Sequence, residues 1–195
     1  MLLPHSDCLG ENGGPGMTFH RPGVWLGARL AAIAVTALLC ACAERDLPAA
    51  DPSFYRSLAT KDAQVDAVMA ASMISGYRTN NGLSVVTIDP ELMKLAEAQA
   101  QAMASRDTLS HDIARSFHER LKGGGYRART AAENVGAGYH TLAQAFSGWR
   151  DSPPHRANML LSGATRMGIA AAYAPKSKYK VFWALILAEP DERRG

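Results

Sequence analysis

From Asp62 onward, apolar residues recur along the chain at helical spacing with polar residues between them. Val65, Val68, Met69, Ser72, Gly76 and Tyr77 fall on one helical face, and Asn80-Asn81-Gly82 is a turn signal. Asp89-Pro90-Glu91 opens a second helix. Asp89 suits the cap, Pro90 the first helical position, and Glu91 the positive end of the helix dipole. Its buried stripe is predicted to be Leu92, Leu95, Ala96, Gln99 and Met103, with interspersed alanines allowing close approach to a sheet. A short helical piece at 117–121 and a glycine loop, Gly123-Gly124-Gly125, follow. Residues 130–135 lead into a second amphipathic segment, where Thr141 caps Leu142, Ala145, Phe146 and Trp149. Pro153 and Pro154 cannot continue that helix, so the chain turns and presents His155 just after the turn. Ala157, Met159, Leu160 and Leu161 offer one more apolar helical turn.

Two strands are the clearest, at 166–173 and 180–188, with Pro175-Lys176-Ser177 turning between them. In the second strand, Phe182, Ala184, Ile186 and Ala188 alternate with Trp183, Leu185 and Leu187, so both faces are apolar. Such a strand belongs at the centre of a sheet covered on both sides. Helices on both faces of a small sheet give a three-layer α-β-α sandwich of the α+β class.

Composition changes this picture in three ways. With 47% hydrophobic and 20% charged residues among 195, the chain is an ordinary globular one rather than a disordered one. A formal net charge of +3, without a basic stripe interleaved with aromatics, argues against a nucleic-acid partner. Arg127, Arg129 and the Lys176-Lys178-Lys180 alternation read as solvated charges. All 3 cysteines, Cys8, Cys40 and Cys42, precede the globular part, so the domain has no disulfide and must be held by its core.

The cysteines have another use. Arg21 and Arg29 precede an apolar run at 30–39, too short to span a membrane and suited to a signal-peptide core. The run closes on Leu39-Cys40-Ala41-Cys42, which resembles the bacterial lipobox, implying cleavage before Cys42 and lipid attachment to its sulfur. The same residues also fit an ordinary signal peptide with an incidental cysteine. Ala43, rather than Asp, after the cysteine leans by analogy toward the outer membrane, facing the periplasm. Residues 1–16 have no structural character, and Met17 is an alternative start. The expected organisation is therefore a leader at 1–41, a tether at 42–60 and one domain at 61–190.

The stretch that concentrates chemistry runs from Glu133 to Ile169. Glu133-Asn134-Val135, then Trp149 through Ser152-Pro153-Pro154-His155-Arg156-Ala157-Asn158-Met159-Leu160, then Met167-Gly168-Ile169 stand in fixed order. Together they resemble the signature of the CAP superfamily (cysteine-rich secretory proteins, antigen 5 and pathogenesis-related 1; SCP-like domains), in its bacterial branch. Tyr77-Arg78 with Gly82-Leu83, and Leu109-Ser110-His111, extend the resemblance from about Val65 to Ala188. Ser75 stands where the family usually has Asn. The resemblance implies an α-β-α fold with a mostly antiparallel sheet and a central cavity ringed by two His and two Glu. Three of those positions carry over, as His111, Glu133 and His155. The fourth falls at Ser152, which leaves the tetrad incomplete.

Two imidazoles and a carboxylate suit a divalent metal such as zinc, with His111 and His155 as ligands. They equally suit a hydrogen-bonded cluster that pins loops to the sheet. In that second reading Glu133 accepts backbone N–H groups from the His155 turn, and Asn134 and Asn158 clamp loops. Ser152, His155 and Glu133 lack a nucleophile elbow, which weighs against a hydrolytic triad and leaves Ser152 to end the Trp149 helix. Ser152 and Arg156 complete the set of supporting residues. Relatives in the family are reported both as proteases and as sterol or lipid binders, so two classes of function stay open. One is an envelope-anchored, non-catalytic module that binds a protein, lipid or cell-wall component. The other is a metal-dependent, peptidase-like hydrolase using His111, Glu133 and His155.

Overall fold

The computed structural model describes residues 51–191. The leader, Cys42 and the first part of the expected tether lie outside the described residues. The described helices are α1 (Ala67–Thr79), α2 (Pro90–Arg106), α3 (Phe117–Gly123), α4 (Leu142–Asp151) and α5 (Pro153–Met159). The strands are β1 (Thr87–Ile88), β2 (Ala128–Ala137), β3 (Arg166–Tyr173) and β4 (Val181–Pro190). They form one four-stranded sheet in the order β1-β3-β4-β2. β4 runs antiparallel to both neighbours, whereas the short β1 pairs parallel with β3. No described helix is long and apolar enough to cross a membrane.

The alternation in β4 sorts the core into two halves. Val181, Trp183, Leu185 and Leu187 pack with Ala70 and Ile74 of α1, Leu142, Ala145 and Trp149 of α4, and Met159 of α5. Phe182, Ala184, Ile186 and Ala188 pack with Leu92, Ala96, Ala100 and Met103 of α2 and Leu121 of α3. The result is the three-layer α-β-α sandwich expected from the pattern. Trp149 and Trp183 meet edge to face at 6.3 Å between ring centroids. Their indole N–H groups donate to the carbonyls of Val135 and Tyr139, so neither ring buries an unpaired donor. Helix α2 lies almost backbone on backbone against β3. A Cβ on Gly168 would sit 2.2 Å from the Leu92 carbonyl carbon, so only glycine fits at that crossing.

Several details depart from the sequence reading. α1 begins at Ala67 with Asp66 as its cap, and it buries Ala70, Ile74 and Arg78. Val68, predicted to face inward, is 73% exposed. The small Ala70 wins the inward position because it lets the helix come close, a property that a hydrophobicity pattern scores weakly. Pro153 and Pro154 do not merely break α4; they open α5, so His155 sits within the first turn of a short helix. Leu160 and Leu161 lie beyond its end. The segment read as a lead-in to the site is a ten-residue strand, β2. The last part of the expected tether is docked on the domain. Leu58 is buried and its N–H donates to the His140 carbonyl at 2.7 Å, while Ser53 bonds Asp66 at 2.7 Å.

Arg78 is the least expected core residue. Its guanidinium, fully buried, donates to the carbonyls of Ser84, Met159, Leu161 and Ala164 at 2.8–3.0 Å. One side chain of α1 thereby fixes both the loop after α1 and the loop that leaves α5.

Candidate functional site

The site is built outward from β2. Pairing opposite Ile186 places Glu133 on the edge strand β2 against the inner strand β4, and its side chain is 1% exposed. A carboxylate cannot stay charged in such a place without partners. It has two. Arg120 Nη2 donates to both carboxylate oxygens at 2.9 and 2.8 Å, and His111 Nδ1 lies 2.9 Å from Oε1. A carboxylate only accepts, so His111 carries its proton on Nδ1, and Nε2 is an acceptor while the ring is neutral.

The sequence motif does not mark Arg120. It lies on α3, whose start is fixed by a full capping box between Ser116 and Glu119. The apolar pair Phe117 and Leu121 turns α3 inward and carries Arg120 with it, with the guanidinium 5.4 Å from the Phe117 ring centroid. That flanking pair is the signal that could have found it. Arg120 also donates to the His111 carbonyl at 3.0 Å. Gln99, buried on α2, donates to the carbonyls of Ser110 and His111 at 2.7 and 3.2 Å. The loop that presents His111 is thus tied by its backbone as well as by its ring.

His155 reaches the same place from the other side. Asn134, next to Glu133 on β2, donates to the His155 carbonyl at 2.9 Å. Asn158 donates to the Glu133 carbonyl at 3.0 Å and to the Asn134 side chain at 2.9 Å. The expected acceptance of backbone N–H groups by the Glu133 carboxylate does not occur; Arg120 and His111 take those lone pairs instead. Ser152 is the joint between α4 and α5, and its side chain makes no capping hydrogen bond. Arg156 is exposed, and its charge acts on Asp151.

The two imidazoles feel opposite environments. The hydrogen bond to Glu133 is the main reason that His111 holds its proton to higher pH than an ordinary histidine. His155 loses its proton more readily, first through partial burial and then through the nearby charge of His111. The hydrogen bonds of His111 to Glu133 and of the His155 carbonyl to Asn134 tie both residues to neighbouring positions of β2. His111 is 48% exposed and His155 is partly buried.

A metal fits this arrangement poorly. Glu133 is already neutralised by a guanidinium, and a cation beside it would meet that positive charge. Two imidazoles alone fall short of the three protein ligands of a catalytic zinc site. Among the described residues no group of three or more His, Cys, Asp or Glu could hold an ion. Three open cavities among the described residues, of about 590, 490 and 210 Å³, are lined by other residues.

With this geometry in place, the comparisons with known proteins are decisive for the family. The model of the CAP, or cysteine-rich secretory protein, family matches residues 71–187, more than half of the chain. The chain belongs to the CAP family. One curated relative is the Bacillus subtilis (strain 168) protein YkwD, described as uncharacterized, 29% identical over 99 residues. That match takes in 50% of this chain and 38% of YkwD, so the CAP domain here corresponds to well under two thirds of that relative. Among solved structures, an extracellular SCP-domain protein of Bacillus anthracis str. Ames superposes with a TM-score of 0.55 at 22% identity. The match covers 63% of this chain and 39% of that one. An outer surface protein of Borrelia burgdorferi gives a TM-score of 0.57 at 18% identity, over 65% of this chain and 93% of that one. At these identities the two structures speak for the fold of the CAP domain alone.

Proposed function

We propose that this CAP domain is a non-catalytic binding module held at the bacterial cell envelope, with the face around His111 and His155 as its recognition surface. The observation that carries the proposal is the state of Glu133. Its carboxylate is inside the protein and engaged by Arg120 and His111. A general base needs a free lone pair within reach of substrate, and a metal ligand needs one facing the ion. Glu133 is buried with its oxygens turned to Arg120 and His111, and presents none to a substrate or an ion, so it serves to orient His111. What remains for a partner is two half-buried imidazoles on a rigid backbone frame, a surface suited to binding a protein, lipid or cell-wall component. The Leu39-Cys40-Ala41-Cys42 sequence supports an address to match, with the mature chain lipidated at Cys42 in the outer membrane and facing the periplasm.

The experiment compares wild type with His111→Ala and His155→Ala for zinc content, for peptide hydrolysis with and without added zinc, and for cosedimentation with isolated cell-wall sacculi and with envelope vesicles. Expected are no turnover in any form, and retention on one of the two envelope fractions that both substitutions weaken. Zinc-dependent turnover in wild type that disappears in His155→Ala would establish the peptidase-like alternative instead. Mass spectrometry of the mature N-terminal peptide tests the anchor, with a diacylglyceryl-modified Cys42 as the expected species.

A further inference from the structure

The residues between a lipid-modified Cys42 and the first described residue, Asp51, set a short leash. These eight residues make nine Cα-to-Cα steps, which reach at most about 30 Å when fully extended. Whatever surface stands next to Asp51 is therefore held near the bilayer, and that surface has an unusual make-up. The turn Ser53–Tyr55 packs the half-buried Phe54 against the core and leaves Tyr55 61% exposed. The hydrogen bond between Ser53 and Asp66 clips this turn to the cap of α1. Two residues further on, Val68 is 73% exposed, the largest exposure among the bulky exposed apolar side chains described. Tyr55 and Val68 thus flank one clip, close in the chain to the first described residue.

We propose that this patch, Tyr55 and Val68 on either side of the Ser53–Asp66 clip, rests on the membrane in which Cys42 is anchored, with Tyr55 at the headgroup level. Tyrosine suits that layer, because the ring is apolar and the hydroxyl meets water. The patch is not basic. Arg56 and Lys61 stand against Asp51, Asp62 and Asp66, and Arg56 already acts on Asp66. Attraction to anionic lipid is therefore not the driving force; a short leash and apolar contact are. The docked end of the expected tether gains a purpose in this arrangement. Leu58 and Phe54 hold it against the domain, so these residues do not add to the leash and the patch stays next to it.

The proposal rests on the reading of Cys42 as the anchor, and the test separates the two. Tyr55→Cys, Val68→Cys and Leu109→Cys variants of the full chain are matured in cells and reconstituted in phosphatidylethanolamine–phosphatidylglycerol vesicles. They are then reacted with a water-soluble maleimide. Leu109 is a fair control, being 48% exposed just beyond the far end of α2. Met93 of α2 shares a cavity with Val65, and Arg106 lies about 20 Å further along the helix. Labelling at positions 55 and 68 should be slowed several-fold relative to detergent, position 109 should be unaffected, and high salt should change nothing. Equal labelling at all three positions, with lipid found on Cys42, overturns the membrane contact and leaves the anchor standing. Absence of lipid on Cys42 overturns both. Protection that rises with protein density at fixed lipid assigns the patch to a second copy of the chain and also overturns the proposal.

Discussion

Replacing Arg78 by alanine removes a cation that bonds four backbone carbonyls at once. The loss is not the sum of four bonds, because the unfolded chain regains a hydrated arginine only in the wild type and the bonds share one side chain. The decisive carbonyls are those of Met159 and Ala164, whose residues are fully buried. Ala164 keeps the Ser84 hydroxyl as a second donor at 3.3 Å. Met159 has no such second donor among the described side-chain bonds, and an unsatisfied buried carbonyl costs about 1–3 kcal/mol. Adding the cavity left by a long buried side chain brings the expected destabilisation to about 3–5 kcal/mol. Arg78→Lys keeps the charge but loses the planar fork that spans separate acceptors, so it should recover only a minor part. Urea unfolding followed by the fluorescence of Trp149 and Trp183 measures both variants, as a lower midpoint at unchanged slope. A loss below about 1 kcal/mol for Arg78→Ala would refute the idea that this guanidinium organises the two loops.

Three further outcomes are expected. Trp149→Ala, which empties the centre of one core half and breaks the contact with Trp183, should cost about 3–5 kcal/mol in the same assay. Gly168→Ala forces a methyl group into the α2 backbone, and failure to accumulate folded protein is the expected result; near wild-type melting would show that α2 can shift outward. In an NMR titration, the midpoint of His111 should lie above the ordinary 6.5 and that of His155 below it, and Glu133→Gln should lower the former. The signs for stability follow from these directions. The His111–Glu133 contact contributes fully below pH 6.5 and is lost as pH rises through the raised value, whereas His155 opposes folding as pH falls below 6.5.

How much of this was legible depends on how local the determinants were. The capped helix starts at Asp89 and Thr141 and the doubly apolar β4 depend on neighbours within a few residues, and they appear as the sequence pattern indicates. His111, Glu133 and His155 could be singled out because the motif places them in order, and the structure brings them to one region. Arg120 could not, and neither could the roles of Arg78 and Gln99: the sequence places Gln99 in the buried stripe of α2 and Arg78 in a motif, but names no partner for either. A charged residue on a helix reads as solvent-facing until acceptors arrive from elsewhere. For Arg78 three of the four acceptors come from 81 to 86 residues downstream. Strand β2 was obscured for a related reason. Ala132, Glu133, Asn134, Val135 and Gly136 together have little strand propensity, and pairing with the apolar β4 imposes the conformation.

Helix α2 is fastened at both ends. Its first turn sits on Gly168, and past its last turn Asp107 bonds Ser177 in the loop between β3 and β4. Between these clamps it works as a ruler that sets where the His111 loop begins. An extra residue within it would swing that loop round by about 100° and advance it by about 1.5 Å. Lengthening α2 by a single residue should therefore unseat the His111 ring from Glu133 without touching either side chain.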